Sequence, residues 1–281
     1  MNHNVTVSPT NEDAHFSRFE TDLMSNLRGL GEEVLAMRQS GGLEIKSKTH
    51  IADLVTRADT YVEGELTKLI GAHLPNDGIM GEEGARVESS NGQVWFLDPI
   101  DGTMNFARQS HNFGISAGFA KNGVPEFGTV YFPALDQMVS AKAGRGATLK
   151  GVTLTCPQHD KELGAFFVGI DFSSHPPTQH ELQTFYPAFA ASVAYTYRYA
   201  CATFAVFEVA QGRLDAYVHL NPTIYDYAAI ALIAKEAGCF VARNFRGDLL
   251  SYEGKASPLV VARTGKVAEM LAPFFKDTAA E

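Results

Sequence analysis

The chain is poor in cysteine, with only Cys156, Cys201 and Cys239 in 281 residues. They are far apart and odd in number, which suggests neither a disulfide framework nor a zinc site. Cys201 and Cys239 sit in apolar runs and read as small core residues. Basic charge is also in deficit: Lys and Arg number 23 against 32 Asp and Glu, a net charge of -9 at pH 7. That balance argues against nucleic acid or an acidic membrane as a partner. It is awkward for an anionic substrate too, unless bound cations invert the local field. No apolar run approaches the ~20 residues of a membrane span. The first dozen residues are polar and lack a secretory core, so a reducing cytoplasm is the expected compartment. Repeats and low-complexity tracts are missing.

What is present is an ordinary globular composition, 45% apolar and 20% charged, sufficient for a sizeable core. Residues 1–12 read as a loose tail. Phe16, Phe19, Leu23, Leu27, Leu30 and Val34 then recur at helical spacing until Gly41-Gly42. A second helix is expected after Asp53, with Ala58, Val62, Leu66 and Leu69 on one face, broken from Pro75 to Gly78. Strand patterns follow over Val94–Leu97, Phe113–Ala120, Val124–Phe132 and Gln137–Ala141. Gly144, Gly146 and Gly151 mark a loop region, and the expected boundary near it separates a subdomain of residues 13–150 from one of 151–281. The second half alternates. Strands are expected over Phe166–Ile170, Leu214–Leu220, Cys239–Ala242 and Pro258–Ala262. Helices are expected over Thr184–Ser192 (interrupted at Pro187), Cys201–Gln211, Tyr225–Ala237 and Lys266–Phe275. This mixture predicts an α/β sandwich.

The most informative stretch is Trp95-Phe96-Leu97-Asp98-Pro99-Ile100-Asp101-Gly102-Thr103-Met104-Asn105-Phe106. An apolar strand runs straight into two acids flanking a proline. Pro99 fixes its own φ and biases Asp98 towards an extended backbone, so both carboxylates sit on a stiff turn. Hard cations such as Mg²⁺ take oxygen ligands. A carboxylate that bridges, beside one that terminates, suits a two-metal site. Gly102-Thr103 then opens a helix whose free N–H groups can receive a phosphate oxygen. Read singly, the other acids are ambiguous. Glu82 and Glu83 in Gly81-Glu82-Glu83-Gly84 pass for solvated charges. Asp53 passes for a helix cap, as does Asp226 at the head of an apolar helix.

Together these segments resemble the inositol monophosphatase family of magnesium-dependent, lithium-sensitive phosphatases, from about Lys46 to about Val261. Trp95–Phe106 looks like the family signature without a mismatch. Asp53–Asp59, Gly81-Glu82-Glu83, and Asp226 with Glu236-Ala237-Gly238 resemble its other blocks. The resemblance implies a five-layered αβαβα sandwich and a homodimer. It implies two to three Mg²⁺ ions: one held by Glu82, Asp98 and the carbonyl of Ile100, a second by Asp98, Asp101 and Asp226, and a weaker third near Glu82, with Lys48 close by. Backbone N–H groups of Gly102 and Thr103 would bind phosphate. Thr103 paired with Asp59 would, with Glu82, orient the attacking water. The implied substrate is inositol monophosphate or a related small polyol or sugar phosphate, with histidinol phosphate or another metabolite phosphate as the alternative, and relatives include enzymes for histidinol phosphate, fructose bisphosphate and phosphoadenosine phosphate. Some bacterial members bind transcription machinery, which is the alternative role.

The chain departs from the family on the leaving-group side. His219 stands where inositol-specific members carry a Glu. Tyr225 replaces the usual Trp, and Cys201-Ala202-Thr203 replaces a small Gly-Thr/Ser-Ala stretch. His219, Cys201, Ala202 and Thr203 are therefore the expected substrate contacts, and a preference for something other than inositol phosphate follows.

Overall fold

The computed structural model describes residues 11–41, 43–48, 54–159, 161–171, 176–243 and 258–279. Its helices are α1 (Asn11–Gln39), α2 (Arg57–His73), α3 (Thr103–Ala107), α4 (Pro176–Ser192), α5 (Ala202–Ala210), α6 (Ile224–Glu236) and α7 (Gly265–Leu271). A two-residue pair, β1 (Lys46–Ser47) with β2 (Leu54–Val55), precedes α2. Eight strands form the first sheet: β3 (Gly78–Gly81), β4 (Arg86–Val87), β5 (Gln93–Asp101), β6 (Gly114–Lys121), β7 (Val124–Phe132), β8 (Gln137–Lys142), β9 (Gly146–Leu149) and β10 (Val152–Leu154). Their order is β10-β9-β8-β7-β6-β5-β3-β4. Five strands form the second: β11 (Phe167–Asp171), β12 (Tyr195–Tyr197), β13 (Ala216–His219), β14 (Phe240–Arg243) and β15 (Leu259–Ala262), in the order β12-β11-β13-β15-β14.

The helical stripe read from Phe19 to Val34 is buried in α1 and packs with α2 on one face of the first sheet, around Trp95, Ile115 and Phe119. The other face, with Val130, Phe132 and Val139, meets α5 and α6, which also touch Tyr217, Val241 and Val261 of the second sheet. Ala216 and Val218, on the opposite face of β13, pack with Phe189 of α4 and Val267 of α7. The layers are thus α, β, α, β, α, as expected. The helix α6 is apolar on every side, Tyr227 to Ala234 being buried, because it lies between two sheets. Of the described helices, none is long and apolar enough to cross a membrane.

Some local details differ from the sequence reading. The expected tail lies outside the described residues as far as Thr10, and Asn11 and Glu12 already belong to α1. Asp53, expected to cap α2, lies outside the described residues; the cap is Thr56, whose Oγ1 accepts from Ala58 N at 3.1 Å. The proline at 187 does not interrupt α4. Phe185 and Phe189 on either side of it pack against Phe275, with centroids 4.9 and 5.4 Å away, and tertiary packing overrides the lost helical hydrogen bond. The first sheet continues past the glycine loops to Leu154.

Close approach of α6 to the first sheet rests on two glycines. Gly118 and Gly128 face each other across β6 and β7. A Cβ on Gly128 would lie 2.6 Å from Ala229 O, and one on Gly118 would lie 2.7 Å from Ala229 N. Backbone, not a flexible side chain, is what would have to move. Gly128→Ala is therefore expected to destabilise the fold by about 2 kcal/mol, read as a Tm lowered by several degrees. An unchanged Tm would mean that α6 is free to shift.

Candidate metal centre

The β5 strand delivers two acids to one place. In a regular strand, residues three apart face opposite sides. Here the pairing with β6 slips between Asp98, opposite Ser116, and Asp101, opposite Gly114. Pro99 has no N–H to give the ladder, and the irregularity turns both carboxylates the same way. Asp226 arrives in the first turn of α6, the helix packed directly on this sheet. One carboxylate oxygen from each of Asp98, Asp101 and Asp226 lies within 4.8 Å of the others.

This concentration of acid is electrostatically costly. Burial, then Glu82, Asp101 and Asp226, push the Asp98 carboxyl well above its usual range. Asp98 is 1% exposed and its Oδ1 has no hydrogen-bond partner. Half-buried Asp226 is pushed up to about 8 by burial, Asp101 and Glu82, although Thr223 donates to its Oδ2 from N at 2.5 Å and from Oγ1 at 3.0 Å. Asp101 is raised by burial and held back by donors at the start of α5. These are Thr203 N at 2.6 Å, Ala202 N at 3.2 Å and Cys201 Sγ at 3.3 Å. The expected substrate contacts Cys201, Ala202 and Thr203 thus turn polar groups towards a carboxylate.

Beside this cluster lies the loop after β3. Glu82 N donates to Leu97 O at 3.0 Å, which sets Glu82 against the strand next to Asp98. Lys48 bridges Glu82 at 3.0 Å and Glu83 at 2.5 Å. Against the desolvation of its own partial burial, the two glutamates hold its ammonium above the usual range. Burial raises Glu83 to about 7, with Lys48 opposing. A residue the sequence reading passed over organises the loop: Glu63 accepts from Glu83 N at 2.8 Å and Ala85 N at 2.7 Å. Its one signal is an acid on the apolar face of α2, four residues after Asp59.

The expected Asp59–Thr103 pair is formed. Thr103 Oγ1 lies 3.0 Å from Asp59 Oδ1 and 3.0 Å from Ile100 O, and one hydroxyl proton serves both. The other oxygen of Asp59 accepts from Thr56 N at 2.9 Å and Thr56 Oγ1 at 2.5 Å. Burial raises the Asp59 carboxyl, and these bonds oppose the rise. Gly102, at φ 86°, starts α3; a Cβ there would lie 2.9 Å from Asn112 O. His219 sits in the middle of its sheet, level with Asp171 and Leu259. It shares the face of β13 that carries Tyr217, whose hydroxyl feels Asp171, Asp101 and Asp226. Its Nδ1 is buried without a partner. Burial, then Arg243, push its imidazole down to about 4.

The donor set fits a hard divalent cation. Every candidate ligand is oxygen, the carboxylates repel one another without positive charge between them, and one buried oxygen lacks any donor. Asp98, Asp101 and Asp226, with Glu82 and the Ile100 carbonyl adjoining, are the residues that would hold it.

The chain is 33% identical over 198 residues to an inositol-1-monophosphatase of Bacillus subtilis, covering 70% of this chain and 74% of that one. It is 30% identical over 207 residues to a histidinol-phosphatase of Chlorobaculum parvum, covering 72% and 78%. The crystal structure of extragenic suppressor protein suhB from Bartonella henselae shares the fold, with a TM-score of 0.82 at 22% identity over 90% of this chain and 96% of that one. Residues 18–278 match the profile of the Inositol monophosphatase family, and with that span and those identities the chain belongs to the inositol monophosphatase family.

Proposed function

We propose that this chain is a Mg²⁺-dependent phosphomonoesterase for a small polyol phosphate or related metabolite. The observation that carries the reading is the Asp98–Asp101–Asp226 cluster, its first two members buried, with its unpartnered Asp98 oxygen. Bound there, Mg²⁺ would lower the pKa of a water and neutralise phosphate oxygens. The chain's own residues do the rest. Asp98, Asp101, Asp226, Glu82 and the Ile100 carbonyl would hold two ions, and Glu82 with Lys48 nearby would serve a weaker third. The N–H groups of Gly102 and Thr103 at the head of α3 orient the phosphate. Thr103 receives the water's proton on Oγ1 as its own passes to Asp59. Cys201, Ala202 and Thr203, the expected substrate contacts, also hold Asp101 through Sγ and two backbone N–H groups. Phosphate release from a panel of monoesters tests the proposal: turnover with Mg²⁺, abolished by chelator, is expected, and chelator-resistant turnover would exclude it.

The substrate is addressed by His219. Neutral at pH 7, its imidazole offers one donor and one acceptor, where an ionised Glu only accepts. It suits a hydroxyl better than a substrate ammonium. Inositol 1-phosphate is expected to be hydrolysed less well than at least one other sugar or polyol phosphate. His219→Glu should move the kcat/KM ratio towards inositol 1-phosphate by up to about tenfold, with the Mg²⁺ requirement unaltered. A ratio that does not move would remove His219 from the leaving-group contact.

A further inference from the structure

Ala200 adopts left-handed backbone at φ 50°, although an alanine has no polar side chain to reward that conformation locally. Two side chains from different layers hold it there. Asp171, closing β11, accepts from Ala200 N through Oδ1 at 3.2 Å. Asn105, in α3, donates through Nδ2 to Tyr199 O at 2.6 Å and Asn112 O at 2.8 Å, with Ala200 O at 3.4 Å. The next three residues, Cys201 to Thr203, are those that donate to Asp101. The direction of the Ala200 turn therefore decides where the first N–H groups of α5 point.

Asp171 is 5% exposed, and its other side-chain contacts among the described residues are weak. Tyr217 donates to Oδ2 at 3.3 Å, and Arg198 Nε stands 3.9 Å from Oδ1 with its side chain 53% exposed. Neither accounts for burying a carboxylate at this place, whereas fixing a strained turn does. Asn105 belongs to the signature string, yet its amide serves this turn and the neighbouring Asn112 carbonyl.

We propose that Asp171 and Asn105 are positioning residues that lock Ala200 in its left-handed turn, so that α5 presents Ala202 N and Thr203 N to Asp101 and fixes the orientation of that carboxylate. A consequence for Mg²⁺ affinity rests on the proposed function; the effect on α5 does not.

The experiment is amide hydrogen exchange on the full chain, metal-free, for wild type, Asp171→Ala, Asp171→Asn, and Asp171→Ala combined with Ala200→Gly. Asp171→Ala should lose about tenfold or more of the protection at Ala202 and Thr203, with amides of α6 unaffected. Adding Ala200→Gly should restore protection to within about threefold, because glycine adopts the turn without a Cβ clash. Asp171→Asn keeps the acceptor and should stay near wild type. The Mg²⁺ midpoint for thermal stabilisation should follow the same order, rising about tenfold in Asp171→Ala and recovering in the double variant. Unchanged protection in Asp171→Ala, or a double variant no better than the single, overturns the proposal. So does an Asp171→Asn variant as damaged as Asp171→Ala, since charge would then be the cause. If Asp171→Ala does not fold, Asn105→Ala removes the other arm and is read against the same rescue. A wild type that Mg²⁺ fails to stabilise would sink the metal reading, while exchange still decides the turn.

Discussion

In an Asp98→Asn variant, Mg²⁺-dependent phosphate release should fall by about 10³-fold or more, while the metal-free protein becomes more stable than wild type. The two effects share one cause. Asp98 is buried among Glu82, Asp101 and Asp226, and one of its oxygens lacks a donor. Asn keeps the shape and removes the charge, so the cluster loses both a cation ligand and a source of repulsion. The sign with pH follows from the carboxyls of Asp98, Asp101 and Asp226, all raised in the folded state. The folded chain then holds protons more tightly than the unfolded chain, and stability falls as pH rises. In chelator, the wild-type Tm should decline from the ordinary carboxylate range up to about 8, where Asp226 titrates. Mg²⁺ should remove most of that decline, and Asp98→Asn should flatten it without metal. Thermal unfolding from pH 5 to 9 (spanning the ordinary carboxylate range and beyond), with and without Mg²⁺, measures all of this. A variant that keeps its turnover, or gains no stability in chelator, would show that Asp98 is not at the centre of the charge cluster.

Much of this site is legible in sequence because the acids nearest the chemistry fall in short strings with unusual neighbours. By itself Asp98-Pro99-Ile100-Asp101-Gly102 reads equally well as a turn before a capped helix, and it is the longer string from Trp95 to Phe106 that narrows the reading. The supporting residues are not legible in that way, because what each one does depends on a distant segment. Glu63 acts only because the loop from Gly81 to Ala85 folds back over α2; a Cβ on Gly81 would collide with its carboxylate. Tyr225 stood out as a departure, but nothing local says that Arg86 Nη2 donates to its hydroxyl at 2.5 Å. That contact joins the Glu82 loop to the first turn of α6, next to Asp226. The start of α2 is similar: Asp53 reads as the cap, and nothing local points instead to Thr56, whose N donates to the Asp59 side chain at 2.9 Å. The mixture of helices and strands is readable from periodicity and the five layers follow from the resemblance, whereas the order of strands depends on pairings between segments far apart in sequence.

The second large effect is expected at Asp59, and its character differs from that at Asp98. Replacement by Asn retains size and one acceptor. Thr56 N is a fixed donor 2.9 Å from Oδ2, so the Asn oxygen must face Thr56 and its amide must face Thr103. The hydrogen bond between residues 59 and 103 is thereby reversed. Thr103 Oγ1 becomes the acceptor, and no carboxylate remains to take a proton passed through it. Loss of a positioned base typically lowers kcat by about 10²–10⁴-fold. The cation ligands are untouched, so the Mg²⁺ midpoint for thermal stabilisation should stay within about twofold of wild type. Burial holds the Asp59 carboxyl above its usual range, so removing the charge offsets part of the lost helix-dipole interaction, and stability should change by less than about 1 kcal/mol. Thr103→Ala interrupts the same path one atom earlier and should cost a similar factor. Combining the two distinguishes a shared path from separate roles. If proton transfer runs through both groups, Asp59→Asn with Thr103→Ala should be scarcely slower than either alone, because a path can be cut only once. If the losses multiply, Asp59 and Thr103 act independently, and the pair is a structural brace rather than a route for the water's proton.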